Sequence, residues 1–213
     1  MIQVIGPKDR PYPGFLVVNT TSRSPQAWSR SLSPFYLGPV ELYDSHVSQK
    51  MENGWQFSKV YRDHLEEDGR ISERYWEWAR KGWQSDWAHR YPMGKGTKPE
   101  FSLWAGERLG YLKARERIYL PLYVQAVVRT EAFQKLVDLA EKKNIAIFDF
   151  DSCDLNERET TLGEAFRDPS RKFGHGFVLY GLLTGEIDPK GRFIAPKPET
   201  CESLPSGPHL SRN

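Results

Sequence analysis

The stretch Ile145-Ala146-Ile147-Phe148-Asp149-Phe150-Asp151 narrows the folds open to this chain more than any other. It is apolar without a break and then alternates, the pattern of a strand covered on both faces that ends at carboxylates. Any fold must therefore place a sheet around it. Phe15 to Asn19, an apolar run bounded by Gly14 and polar residues, reads as another buried strand, and residues 35–42 lead into an alternating segment, Val40 to Tyr43. The rest reads as helical: 47–64, then 65–89 with a break at Gly69, 105–119 running up to Pro121, 122–142 stopped by Asn144, and 171–183 capped by Asp168-Pro169-Ser170. These patterns predict a single α+β domain over 1–184, mostly helical with a small β-sheet. Residues 185–213 are expected to form a flexible tail rich in Pro, Gly, Ser and Lys.

Bulk properties exclude several classes. The 213 residues suit one sizeable domain, and 38% hydrophobic with 27% charged residues suits a soluble globule. A net charge of +2 argues against a dedicated duplex-DNA binder. Cys153 and Cys201 are far apart and follow no metal spacing, which fits a reducing, cytoplasmic setting without a disulfide. Neither a charged leader followed by an apolar run nor a membrane-length apolar stretch is expected.

Five groups of residues can carry chemistry. Asp149 and Asp151, two apart on a strand, leave the same face. Neighbouring carboxylates bind a cation, pair with bases or raise one pKa, unless the strand end is simply bathed in water. The D-x-D pattern evokes haloacid-dehalogenase-like phosphatases, but it comes too late in the chain for the βα units that fold needs. Glu52, Gln56 and Lys59 lie at i, i+4 and i+7 beside Met51, Trp55 and Phe57, so they form either a pocket wall or a solvated stripe. In the loop from Arg90 to Pro99, Gly94 and Gly96 let backbone N–H groups approach an anion while Arg90, Lys95 and Lys98 supply charge. The same residues also suit an ordinary basic loop. Glu107, Tyr111 and Arg115 share a helix face or belong to a charge ladder. His175 near a helix start either presents a neutral imidazole or bonds to backbone. No Ser/His/Asp order, HExxH or zinc spacing is present.

Taken together, the chain resembles the NADAR superfamily, named for its links to NAD and ADP-ribose metabolism. The resemblance rests on Ser33-Pro34-Phe35-Tyr36, then Pro39-Val40, then Glu52-Asn53-Gly54-Trp55-Gln56-Phe57-Ser58-Lys59. These match that family's S-N-F-Y, Pro-Val strand and E-H-x-x-Q-x-x-K helix. Weaker likeness continues through 126–139, the Asp149/Asp151 strand and 168–183. Asn53 stands where the family has His, and Ser152-Cys153-Asp154 where it has an acid-x-x-Trp-Gly signature. The chain is also similar to phage-encoded proteins with a like Arg-Tyr-Pro-Met-Gly-Lys-Gly loop, whose setting would be the host cytoplasm.

The resemblance implies an N-glycosidase acting on a ribosyl- or ADP-ribosyl-base. Glu52 would stabilise the oxocarbenium-like sugar, and Asp149 or Asp151 would activate water or protonate the leaving base. Lys59, Arg90 and Lys95 would hold phosphates, and Trp55 or Trp104 would stack on the base. Tyr36, Gln56, Arg115 and His175 would complete the substrate contacts. No metal or redox cofactor is implied. The expected partner is a small nucleotide or ADP-ribosyl substrate, with nucleic acid only as a modified substrate and no membrane. Two alternatives remain: a pocket that sequesters a nucleotide without cleaving it, and an interaction protein using the Trp-rich segment 75–87 and the tail.

Overall fold

A computed structural model describes residues 1–194. Its centre is β8 (Ile145–Phe148), whose Ile145, Ala146 and Ile147 are wholly buried. Two earlier segments run parallel to it, one on each side: β1 (Ile2–Ile5) and β2 (Leu16–Asn19). Each buried Ile contributes roughly 1.5–3 kcal/mol over an exposed one, so a small sheet can organise the domain. Strand β1 was not foreseen, because Gln3 breaks its apolar run; Gln3 is buried and satisfied by Asp154 Oδ2 at 2.6 Å. Strand β2 was expected to be buried but is an edge, with Leu16 and Val17 largely exposed.

The expected helix over 47–64 breaks into four pieces, and β-branched and aromatic residues explain why. Val47–Ser48 is β4, paired with β3 (Val40–Glu41), the only strand in 35–42. Only Met51–Gln56 is helical (α2). Lys59–Val60 is β5, and Arg62–His64 makes one 3₁₀ turn. The expected 65–89 helix is reduced to α3 (Glu73–Trp83). Tyr75 and Trp83 are buried there, with Trp76 and Trp78 partly buried, in a satellite core around Phe57 and Val60. Most of the Trp-rich segment is therefore packing rather than contact surface, and only Trp87 stands out in solvent.

Residues 101–109 form a hairpin instead of a helix start. Strand β6 (Phe101–Trp104) pairs with β5 and with β7 (Glu107–Leu109). Ala105 and Gly106, at φ 48° and 80°, make the turn that right-twisted strands require. After Gly110 a single helical run extends from α4 (Tyr111–Ala114) through a π-helical segment, Arg115–Tyr119, to α5 (Leu120–Val127). Pro121 lacks an N–H and crowds the preceding turn, and the wider π turn accommodates both.

The expected helix over 122–142 is broken at Thr130. Its hydroxyl accepts from Phe133 N at 3.1 Å and starts α6 (Glu131–Lys142) afresh. After the short α7 (Leu162–Arg167), α8 (His175–Thr184) packs on β1 and β8. It begins four residues later than expected, and Asp168 does not cap it. One short helical turn, α1 (Ala27–Arg30), completes the mixed α+β domain. Beyond α8, Ile187 is buried and pairs across a bridge with Phe193, so this part of the expected tail packs on the core. The remainder, with Cys201, lies outside the described residues. Among the described residues no helix is long and apolar enough to cross a membrane.

Candidate functional site

Parallel strands leave their carboxyl ends free for ligands, and here the ends of β2 and β8 open into one cleft. Its volume is about 210 Å³. Residues from eight parts of the chain line it, among them Thr21 and Ser22 after β2 and Ser33 to Phe35. Glu52, Trp55 and Gln56 come from α2 and Lys59 from β5; Asp149, Phe150 and Asp151 follow β8. Arg90 and Tyr91 come from a loop, Tyr111, Arg115 and Tyr119 from the π-bulged helix, and Lys172 to His175 from the approach to α8.

The α2 wall is a relay. Lys59 Nζ donates to Gln56 Oε1 at 2.6 Å, which turns the Gln56 amide so that Nε2 donates to Glu52 Oε1 at 2.8 Å. Lys59 also lies 4.8 Å from the centre of the Trp55 ring. Burial pushes the Glu52 carboxyl above its ordinary pKa, although the Gln56 bond and the charges of Lys59, Arg90 and His175 pull the other way. Burial lowers the Lys59 ammonium to about 8, against the pull of Glu52.

The two aspartates do not lie on a strand, because β8 ends at Phe148; a turn brings both to the cleft. Asp149 is buried and serves the start of α8. Gly176 N donates to its Oδ2 at 3.2 Å, Ser152 Oγ donates to the same oxygen at 3.2 Å, and His175 Nδ1 lies 3.4 Å from Oδ1. A carboxylate here also meets the positive end of the helix dipole. Position 174 must be glycine, since a Cβ would stand 1.9 Å from Asp149 Oδ2. His175 Nε2 donates to Thr20 O at 2.9 Å, tying β2 to α8. Asp151 is half-buried at the cleft edge, where Arg90 Nη2 approaches Oδ2 at 3.2 Å and Lys172 Nζ approaches Oδ1 at 3.0 Å.

Arg115 is 2% exposed and mainly organises backbone. It donates to Phe166 O at 2.6 Å, Arg171 O at 2.7 Å and Tyr111 Oη at 2.7 Å. Tyr111 thus shares its face as expected, whereas Glu107 sits on β7 and pairs with Arg117. Tyr119 faces the cleft with its hydroxyl kept protonated: burial, then Asp149 and Glu52, raise its pKa well above the ordinary value.

Three expected ligand residues are elsewhere. Tyr36 is half-exposed under Arg30 and borders a separate surface hollow beside Trp28. Trp104 packs edge-on against Tyr43 at 4.9 Å. Lys95 is exposed at the tip of its loop and does not line the cleft. Conversely Phe35, Tyr119 and Lys172 line it without having been singled out. The one sequence hint for Tyr119 was the proline two residues on.

Asn53 is not a cleft residue but a clamp for one wall. Its Nδ2 donates to Trp87 O at 2.8 Å and Ser85 O at 3.3 Å, and its Oδ1 accepts from His89 N at 2.8 Å. These bonds hold the chain immediately before Arg90 and Tyr91. Asn53→Ala should therefore lower stability by about 1–3 kcal/mol and speed proteolytic cutting within 85–98. Urea unfolding and mapped limited proteolysis check this; an unaltered cutting rate there would refute the clamp.

Among the described residues, no cluster of three or more His, Cys, Asp or Glu is placed to hold a metal ion. What the cleft offers is a buried carboxylate, a relay to a tunable amine, aromatic walls and cations at one edge. No curated protein matches the sequence. A family profile described as a family of unknown function matches residues 7–166, most of the domain, and the chain belongs to that family, DUF6939.

Proposed function

We propose that this protein is an N-glycosidase that hydrolyses a ribosyl- or ADP-ribosyl-base, as its resemblance to the NADAR superfamily implies. The observation that carries the reading is the meeting of Glu52 with Asp149 and Asp151 in one aromatic-walled cleft, about a hundred residues apart in sequence. In the reaction the C1′–N bond breaks, the base leaves with the bonding pair, and a water oxygen bonds C1′. The proton that water loses to Asp149 is passed on to a base that departs as an anion, or released to solvent when the base departs neutral. The sugar becomes oxocarbenium-like, and the Glu52 carboxylate offsets its charge in a site shielded from water. Asp149, fixed by Gly176, Ser152 and His175, accepts the proton of the attacking water. Trp55 or Phe35 offers a face to the base. Lys59, Arg90 and Lys172 hold phosphate oxygens.

Incubating the protein with nicotinamide- or adenine-bearing ribosyl and ADP-ribosyl compounds and separating the products tests the reading; no free base from any of them would overturn it. The pH profile should be bell-shaped. Glu52 must be ionised, so activity falls on the acid side as pH drops through its raised pKa. Lys59 must be charged, so phosphate affinity falls as pH rises through about 8. Stability moves the opposite way at the alkaline end: the buried ammonium disfavours folding below about 8, and this penalty fades as pH rises toward the unfolded lysine value. A kcat/KM plot flat between pH 7 and 9.5 would remove Lys59 from phosphate binding.

One observation favours a second reading, nucleotide capture without cleavage. Both aspartates are already engaged, Asp149 by a helix start and Asp151 by two cations. Recovering bound ligand after heat release separates the two, since intact ligand means capture and free base means hydrolysis.

A further inference from the structure

A hollow of about 540 Å³ lies apart from the cleft and shares no lining residue with it. Trp28 from α1 and Tyr36 from a loop are its aromatic walls, and Leu37, Ala126 and Ala132 make it largely apolar. Lys135 Nζ stands 4.7 Å from the centre of the Trp28 ring, and the Arg30 guanidinium 5.6 Å from that of Tyr36. The remaining polar groups divide in two. Ser31 Oγ donates to Trp28 O at 2.6 Å and Thr130 Oγ1 to Val127 O at 2.8 Å, so both hydroxyls are engaged within the chain. Glu131 and Lys135 are not. They stand one turn apart on α6, at the i and i+4 spacing where a Glu and a Lys readily pair. Among the described residues neither joins an ion pair, and the lysine turns to the Trp28 ring instead. The hollow thus offers an acid and an amine side by side against two aromatic rings.

We propose that this hollow is a second ligand site and takes a free aromatic amino acid. The ligand's ring packs against Trp28 and Tyr36, its carboxylate meets Lys135 and its ammonium meets Glu131. A doubly charged phosphate is a poor match, because Glu131 repels it. Occupancy reaches the cleft through backbone. The segment 33–38 borders both spaces, Ser33 to Phe35 on the cleft and Tyr36 to Gly38 on the hollow. Its carbonyls hold the start of α2: Met51 N donates to Leu37 O at 2.9 Å and Glu52 N to Pro34 O at 3.1 Å. A ligand that steadies Tyr36 and Leu37 therefore steadies Glu52. The site stands independently of the reaction assigned to the cleft.

Calorimetry with phenylalanine, phenethylamine and phenylacetate tests this. Phenylalanine should bind about fivefold tighter than either of the others, since each of those lacks one ion pair. Lys135→Gln should erase its advantage over phenethylamine, and Glu131→Gln its advantage over phenylacetate. Tyr36→Leu should weaken all three compounds by about threefold. The three positions are exposed, so melting should be unchanged. At ten times its dissociation constant, phenylalanine should slow hydrogen exchange at the Met51 and Glu52 amides by about tenfold, because the opening that frees them also breaks the hollow. Equal affinity for the three compounds, unaltered ratios in both charge variants, or no phenylalanine binding at about 10 mM overturns the site. Unchanged exchange at both amides overturns its link to Glu52. None of these outcomes bears on base release from the cleft.

Discussion

Glu52→Gln should slow release of free base roughly 100- to 1,000-fold, the range for removing one group that stabilises developing charge, without lowering the melting temperature. The two halves of this expectation have different causes. The carboxylate is a buried group lining the cleft, where in the proposed reaction it would face the sugar, and an amide of the same shape cannot balance a cationic transition state. The fold, by contrast, bears the desolvation that raises the Glu52 pKa. A group with a raised folded pKa loses stabilisation as pH climbs through that value, so a neutral side chain removes a cost at neutral pH. The amide can still accept from Gln56. Steady-state kinetics and calorimetric melting read the two halves separately. Wild-type turnover in the variant would take Glu52 out of the mechanism, and a large fall in melting temperature would show that its charge holds α2 in place.

Arg115→Met should destabilise the protein by at least about 1–3 kcal/mol, the cost of a buried carbonyl left without its donor. The side chain fills the space beneath 166–171, but methionine has no donors. The carbonyl of Phe166 would stay buried without a partner, the half-buried carbonyl of Arg171 would lose its donor, and Tyr111 Oη would lose its guanidinium. Arg115→Lys should recover only part of the loss, because a single ammonium cannot serve carbonyls set on several sides. Because the same segment leads directly to Lys172, nucleotide affinity should fall with stability. Urea denaturation measures the first effect and calorimetry the second. A change below about 1 kcal/mol would mean that the fork of hydrogen bonds carries no net weight.

The legible part of the site was its short-range spacing. Glu52, Gln56 and Lys59 meet as their i, i+4, i+7 pattern demands, although α2 stops at Gln56, because the long lysine stem reaches back from β5. Tyr111 and Arg115 meet for the same reason. Asp149 and Asp151 share the cleft by a turn rather than by strand alternation, so the expectation reached the right place through the wrong geometry. Tertiary pairing defeated the rest. Lys59 and Phe101 enter strands only because distant partners satisfy them, Val47 pairs locally with Glu41, and β1 is recognisable only once β8 lies beside it. Tyr36 and Trp104 were assigned through the family resemblance, but cation–π packing under Arg30 and edge-on packing against Tyr43 turn them elsewhere.

The widened turn at Arg115–Tyr119 sets the phase between the two halves of its helix. Each residue of a helix advances the side-chain direction by about 100°, so one extra residue in a single turn shifts everything downstream by that angle. With it, Arg115 and Tyr119 can line the cleft while Leu122 and Tyr123 face the interior. Without it, a regular helix through Pro121 would have to surrender one group of side chains or the other. The irregularity is thus a phase converter, letting a single rod serve as wall of the hollow at one end and as interior packing at the other.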